Sequence, residues 1–413
     1  MNADDIDKRK AGLIAGGLTA LIALLVVIWY FTSRQADTEP AQSARTTDAT
    51  PQPAPTPAQT LRQVAIFADS IGIDTARFAI DTQDSDAAIR AKLTRLLLSV
   101  RYGEKPARIT FQGLKPAIDS AWATHTDAGF TDTMQTDVMP VMAYRQLIGH
   151  YNRLRQQNAG ADSLRQIRQT LNYHRYMNRF AGDRIALVNI PAAELTVFDR
   201  SKGRLLSTPV IVGRPDRKTP TMTTSVQTVV AYPYWNVPES ITLDEMLPRM
   251  KRDPAYVYNE NLHILDGKGN EIDPEEIDWD GMTTSNFPYR IRQGTGDDNA
   301  LGLVKFVLNN PLAIYLHDTN RRDLFRISDN RWRSHGCVRV KKPVELANIV
   351  MRREALPPDF LTAYRADQRP KPMTVPKPFP VFIAYNIADV DSAGQLRFYR
   401  DVYGFDRKAE PAM

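Results

Sequence analysis

Ser334-His335-Gly336-Cys337-Val338-Arg339-Val340 contains the only cysteine in a chain of 413 residues. A lone thiol cannot form a disulfide within its own chain, so it is either a small buried hydrophobe or a thiol kept for chemistry. His335 two positions before it, Gly336 beside it and a second histidine, His317, twenty positions upstream favour chemistry. One cysteine with a distant histidine is the pattern of a nucleophile and its base. Outward from this stretch the chain reads as strands. Val338-Arg339-Val340 starts a short extended piece, and residues 344–351 follow as a short helix. Upstream, Leu303-Val304-Lys305-Phe306-Val307-Leu308 is a strand, Asn309-Asn310-Pro311 a tight turn, and residues 312–317 a second strand with His317 at its end. Further strands fall at 185–191, 195–198, 205–206, 210–213 and 227–231, with a hairpin turn at Ser201-Lys202-Gly203. Short strands joined by turns predict a mostly-β domain, sandwich-like or barrel-like, within an α+β chain.

An insertion over about 236–290 interrupts the strands. It holds Trp235-Asn236-Val237-Pro238 at its entrance, a helical piece over 243–250 and an acidic stretch over 273–280. Long insertions in small domains are commonly functional loops, and this one reads as a lid or subdomain over the site.

A thiol ionises near pH 8.5, so at neutral pH a nearby imidazole raises its reactive fraction. His317 is the expected base, because a base from a separate strand matches triad logic. His335 is the alternative base. In an extended segment it shares the face of Cys337, so it can also line the pocket. Asp318 or a backbone carbonyl would fix the tautomer of His317. Gly336 allows close approach of a substrate, and the amides of Cys337 and a neighbour can form an oxyanion hole. Arg339 is either a bidentate site for a substrate carboxylate or a structural ion pair. Ser334, Thr319, Tyr315 and Trp235 complete the expected supporting set. Such a constellation does acyl transfer: it forms a thioester, then passes the acyl group to an amine or to water.

The other regions set the context. Residues 1–10 read as a cytoplasmic tail. Residues 11–32 are an uncharged, mostly apolar run long enough to span a bilayer. Lys8, Arg9 and Lys10 precede it, which predicts an uncleaved anchor with the rest of the chain on the far side. Residues 33–60, rich in Pro, Ala and Thr, read as a tether. Residues 61–182 read as a helical scaffold, with Ser85 as an N-cap, Gly103 just past a helix end, and further helices around 147–154 and 162–174. His125, His150 and His174 stand alone there and read as structural or exposed. The net charge of +6 is spread along the chain without a Lys/Arg run, which argues against nucleic acid and suits an anionic polymer weakly. No zinc-spaced Cys/His set is present, so no metal site is expected. The lack of Cys-x-x-Cys or a resolving cysteine argues against a redox thiol protein.

His317-Asp318-Thr319 followed by residues 334–340 resembles the signature of the L,D-transpeptidases of the bacterial cell wall. Residues 185–191, Pro220-Thr221, 233–238, Asn299-Ala300-Leu301-Gly302 and 399–404 are similar to the larger, membrane-anchored branch of that family. The resemblance covers roughly 183–407, giving a catalytic domain over 183–408. It implies that Cys337 attacks the bond after a diamino acid in the third position of a donor stem peptide and releases a terminal D-alanine. The amine of an acceptor stem then resolves the thioester into a 3→3 cross-link, without a cofactor. His317 matches the family's catalytic histidine, and His335, Gly336 and Arg339 match the rest of the motif. The resemblance further implies acylation by carbapenems and a place in the inner membrane with the catalytic domain in the periplasm. Other wall-synthesis proteins are expected partners of the helical region. Water as acceptor would make the protein an L,D-carboxypeptidase, and a protein lysine would make it an anchoring enzyme. An inactive wall-binding scaffold is the remaining alternative.

Overall fold

Alternation along the strands decides which side chains enter the core and which face the site. A computed structural model describes residues 54–124, 130–137, 142–327, 330–363 and 368–406. The expected tail, the expected membrane segment over 11–32 and nearly all of the expected tether lie outside these residues. Among the described residues no helix is long and apolar enough to cross a membrane.

The strands are β1 (Phe111–Gln112), β2 (Arg184–Asn189), β3 (Glu194–Asp199), β4 (Gly203–Gly213), β5 (Met222–Ala231), β6 (Trp235–Asn236), β7 (Leu262–Leu265), β8 (Glu271–Ile272), β9 (Arg290–Gln293), β10 (Val304–Leu308), β11 (Leu316–His317), β12 (Trp332–Ser334), β13 (Val338–Val340), β14 (Lys371–Ala384), β15 (Ala388–Val390) and β16 (Leu396–Phe398). The main sheet runs β5-β10-β11-β13-β4-β3-β2-β14, and β14 pairs again with β5, so these strands close a ring. Of the two expected architectures, the barrel is the observed one. Inside it lie Val188, Val197, Val210, Val212, Val229, Phe306, Leu316, Val338, Val340 and Val381. The helix Pro343–Met351 packs on the same core through Val344, Leu346, Ala347 and Val350.

The helical region packs on the outside of the ring. Helix α1 spans Pro57–Ser70, α2 Asp86–Tyr102, α3 Met142–Gln156 and α4 Ala161–Met177. The Ser85 hydroxyl caps α2 by accepting the Ala88 N–H, and Gly103 ends it at φ +54°, as the sequence suggests. Helix α1 starts inside the stretch expected as tether. Thr56 and Gln59 form a capping box and Pro57 occupies the first turn, where its missing N–H costs nothing. Leu61, Val64, Leu93, Leu96 and Leu97 hold α1 to α2. Leu147, Tyr151, Ile167, Leu171 and Tyr176 of α3 and α4 join Ile185, Leu187, Phe198 and Phe382 of the barrel wall. The region is not purely helical, since β1 adds to β5 in parallel.

The insertion is more regular than its sequence suggests. It forms a four-stranded sheet in the order β6-β9-β7-β8 with helical turns over 239–252. Its own apolar cluster includes Met246, Leu247, Met250, Val257, Ile264, Trp279 and Ile291. The expected second strand after Asn310 is shorter than read: only Leu316–His317 is strand. The Asn310 carboxamide accepts the Leu312 and Ile314 amides and donates to the Leu308 and Ile314 carbonyls, which holds 310–314 as a turn.

Candidate active site

The site is built on the outer face of the barrel by strand parity. On β10, Val304, Phe306 and Leu308 point inward, so Lys305 points out. Leu316 enters the core on β11, and Val338 and Val340 do so on β13. Tyr315, His317, Cys337 and Arg339 are therefore left on the other face. Register lines these residues up. Lys305 opposes His317, His317 opposes Arg339, and the Val338 amide donates to the Tyr315 carbonyl at 3.1 Å. Cys337 and His317 are thus diagonal neighbours on adjacent parallel strands. The Cys337 thiol points to the Ala313 carbonyl at 3.6 Å.

The loop that presents the thiol is fixed from several sides. Gly336 has φ +123°, a backbone region closed to side chains, while a Cβ there would meet nothing nearer than 3.4 Å. Glycine is required by conformation and not by crowding. The Ser334 hydroxyl accepts the Gly336 N–H at 3.1 Å and donates to the Cys337 carbonyl. Thr219, fully buried, donates to the Gly336 carbonyl at 2.7 Å and accepts the Gly213 N–H at 2.8 Å. The Tyr403 hydroxyl donates to the Gly213 carbonyl at 2.6 Å and accepts the Thr219 amide at 3.2 Å. Thr219 and Tyr403 belong to this support, and the spacing of the motif gave no sign of either. Among the described residues the Cys337 amide has no hydrogen-bond acceptor, so it is available to an oxyanion. The Gly336 amide is already engaged by Ser334.

Electrostatics set the protonation states. Burial pushes the His317 pKa down to about 3, helped by the cations of Arg339 and Lys305, so the imidazole is neutral near pH 7. The carbonyls of Asp318 and Leu301 pull the other way, but Nδ1 is buried without a hydrogen-bond partner. The Cys337 thiol is pushed up by burial and pulled down by the Tyr315 amide and hydroxyl, Lys305 and Arg339. Its side chain remains half-buried, so water moderates the upward push. Burial and the neighbouring thiol raise Tyr315, and the Trp235 indole beside it opposes them. Its ring lies 5.7 Å from the His317 ring. Trp235 sits half-buried on β6, where the insertion meets the barrel.

Two expected roles are corrected. The Asp318 carboxylate does not orient His317: it is buried, pairs with Arg322 and accepts the Leu303 amide at 2.9 Å, which leaves the backbone-carbonyl alternative. His335 does not turn toward Cys337. It is exposed and donates through Nε2 to Glu245 of the insertion at 2.7 Å, with Arg214 3.5 Å away. Thr319 is buried and accepts the Arg321 amide at 3.1 Å, so it shapes the backbone beside His317. Arg339 has no carboxylate partner among the described residues and its Nε is buried without a partner, so the ion-pair role is not the one observed. No group of three or more His, Cys, Asp or Glu that could hold a metal occurs among the described residues. His150 bonds the Gly394 carbonyl at 2.9 Å and His174 is buried near Asp389, while His125 lies outside the described residues.

Residues 183–375 match the sequence profile of the L,D-transpeptidase catalytic domain. They form an L,D-transpeptidase catalytic domain. A curated "putative L,D-transpeptidase" from Haemophilus influenzae is 39% identical over 221 residues, which is 54% of this chain and 44% of that protein. The chain therefore spans less than half the length of that relative. Among solved structures, an L,D-transpeptidase from Mycobacterium smegmatis is 12% identical over 49% of this chain and 58% of its own, with TM-score 0.23. An L,D-transpeptidase in complex with imipenem is 14% identical over 49% of this chain and 59% of its own, with TM-score 0.22. Cys337 and His317 both fall within the matched transpeptidase domain, and the whole insertion lies between them and its amino end.

Proposed function

We propose that the protein is a peptidoglycan L,D-transpeptidase that forms 3→3 cross-links through a Cys337 thioester. The observation that supports this most directly is the placement of Cys337 and a neutral, buried His317 on one face of adjacent strands inside the matched domain. In the first step His317 takes the thiol proton and Sγ attacks the carbonyl carbon of the diamino acid. The Cys337 amide faces the oxyanion. The carbon–nitrogen bond then breaks, and the proton on His317 goes to the departing D-alanine amine. In the second step the side-chain amine of an acceptor stem attacks the thioester carbonyl and gives a proton to His317, the carbon–sulfur bond breaks, and that proton passes to the departing sulfur to regenerate the thiol. No cofactor enters either step.

Water in place of the acceptor amine would give an L,D-carboxypeptidase, and a protein lysine would give an anchoring enzyme. Both use the same residues. Carbapenems, as strained acyl donors, are expected to acylate Cys337. The apolar run over 11–32 supports a single-pass anchor that leaves the domain in the periplasm, and the helical region is the natural face for other wall-synthesis proteins.

The test is intact-protein mass spectrometry of the full-length chain with a disaccharide-tetrapeptide, alone and with a carbapenem, together with product analysis. A Cys337 adduct with a 3→3 dimer supports the proposal. An adduct with tripeptide alone replaces transpeptidation by hydrolysis, and no adduct on folded protein refutes both.

A further inference from the structure

Four cations stand near the reactive face, and two of them are already neutralised. Arg322 is paired with Asp318, and Arg321 with Asp323 at 3.0 Å. Lys305 and Arg339 have no carboxylate partner among the described residues. Both point from the reactive face, on either side of His317 in one row across β10, β11 and β13. The Lys305 ammonium rests 4.1 Å above the Tyr315 ring, its side chain half-buried, and the Arg339 Nε is buried without a partner. Burial disfavours the charge on each, and the Cys337 sulfur is the anionic group that favours it. Among the described residues the acids beside this face are committed: Asp318 to Arg322, and Glu245 of the insertion to His335. Half-buried cations without counter-charges are costly unless an anion arrives.

The reaction brings one. A donor that loses a single residue carries its terminal carboxylate two bonds from the scissile nitrogen, within roughly 4 Å of the carbonyl under attack. Adjacent strands are about 4.8 Å apart, so a carbonyl held over Cys337 places that carboxylate within reach of the flanking cations. We propose that Lys305 and Arg339 together bind the terminal carboxylate of the donor, and so restrict Cys337 to peptides with one residue beyond the scissile bond. A carboxylate on the diamino acid side chain lies several bonds further from the carbonyl and is the less favoured source. The inference deepens the proposed function and rests on it for the identity of the donor.

Because the chain has one cysteine, a test independent of turnover exists. The full-length protein is alkylated with iodoacetate and, separately, with iodoacetamide, and adducts are counted by intact mass. In both reactions the thiolate sulfur forms a bond to carbon and iodide leaves. The rate ratio of anionic to neutral reagent therefore cancels differences in thiolate fraction and reports attraction for a carboxylate. The ratio is expected to fall at least about fivefold in Lys305→Met and in Arg339→Met, since charge-assisted contacts are the strong ones. It is expected to recover in Lys305→Arg, while iodoacetamide alone verifies that each variant keeps an accessible thiol. An unchanged ratio in both Met variants overturns the proposal whether or not the protein turns over tetrapeptide. Donors amidated either at the terminal carboxylate or on the diamino acid then locate the source. Terminal amidation should raise KM in the native protein and leave Lys305→Met nearly indifferent. The same pattern with only the other amide would overturn the terminal assignment.

Discussion

The barrel face that carries the thiol and the insertion above it are built on opposite terms. On the face, ladder register aligns Lys305, His317 and Arg339. Thr219, Ser334 and Tyr403 hold the Cys337 loop through hydrogen bonds shielded from water, and His317 is enclosed. The insertion has its own small sheet and its own apolar cluster. Its ion pairs to the rest of the domain, His335–Glu245 at 2.7 Å and Arg217–Asp244 at 2.9 Å, have side chains roughly a third exposed or more. Exposed pairs of this kind contribute about 0–1 kcal/mol each. The difference teaches how each is held: the face that carries Cys337 is tied by buried hydrogen bonds, and the insertion's ion pairs to the rest of the domain are partly exposed.

The comparison breaks most sharply at Cys337. Cys337→Ser should leave the fold intact and lower acylation by at least about a thousandfold, because serine at this position lacks a thiolate. Retained cross-linking would remove the face from the mechanism altogether. The next test sets the two histidines against each other. His317→Ala should slow acylation by about 10²–10⁴-fold, the usual worth of a positioned base, and His335→Ala by less than about fivefold, through the insertion. Equal losses would overturn the choice of His317 over His335 as the base.

Enclosure of His317 has a thermodynamic signature. Its pKa of about 3 in the folded chain lies below the ordinary value of 6.5. The folded state therefore binds fewer protons than the unfolded one, and this contribution to stability is complete above pH 6.5. It is lost as pH falls from 6.5 toward 3, at about 1.4 kcal/mol per pH unit for one proton. Asp199, whose carboxyl is held down chiefly by its hydrogen bond from Ser201 and also by Arg184, adds acid sensitivity below the ordinary carboxylate range. The measurement is chemical unfolding of native protein and His317→Asn at pH 7, 6, 5 and 4. Curves that stay parallel would show that the imidazole is solvated. Thr219→Val is a smaller test of the same rigidity. It leaves the Gly213 amide and Gly336 carbonyl unpaired and should lower stability by about 2–4 kcal/mol, with acylation slowed even where the protein is fully folded.

The legibility of these two regions in the sequence also differs. The motif around Cys337 and the upstream His317 could be read directly, because period-2 alternation in 303–308 and 338–340 places every outward side chain once the strands are recognised. The same alternation marks Lys305 as outward, but an isolated lysine in a strand has no spacing signal that ties it to a cysteine 32 positions on. The Thr219–Gly336 and Tyr403–Gly213 bonds join segments 117 and 190 residues apart, and only the closed ring brings them together. In the insertion, strands of two to four residues are too short to show a period, so a small sheet reads as irregular chain. The Asp318 carboxylate is a case the sequence leaves open: it follows the strand end at His317 and meets Arg322 four positions on, a pairing that adjacency to His317 does not show.

The smallest effect sharpens the comparison most finely. Glu245→Gln removes a charge from the insertion but keeps the shape and a hydrogen-bonding atom opposite His335 Nε2. If that pair is only a surface fastener, the variant should fold as the native protein does and change stability by less than about 1 kcal/mol. Acylation by a small neutral acyl donor should be unchanged, because such a donor reaches Cys337 without displacing the insertion. If the insertion is a lid that a large stem-peptide donor must open, the variant should alter KM for that donor by about two- to threefold, and raised salt should move the native protein in the same direction by screening the pair. A fall in the chemical rate with the small donor would contradict the division: Glu245 would then act through His335 on the nucleophile loop, and the insertion would be part of the rigid face.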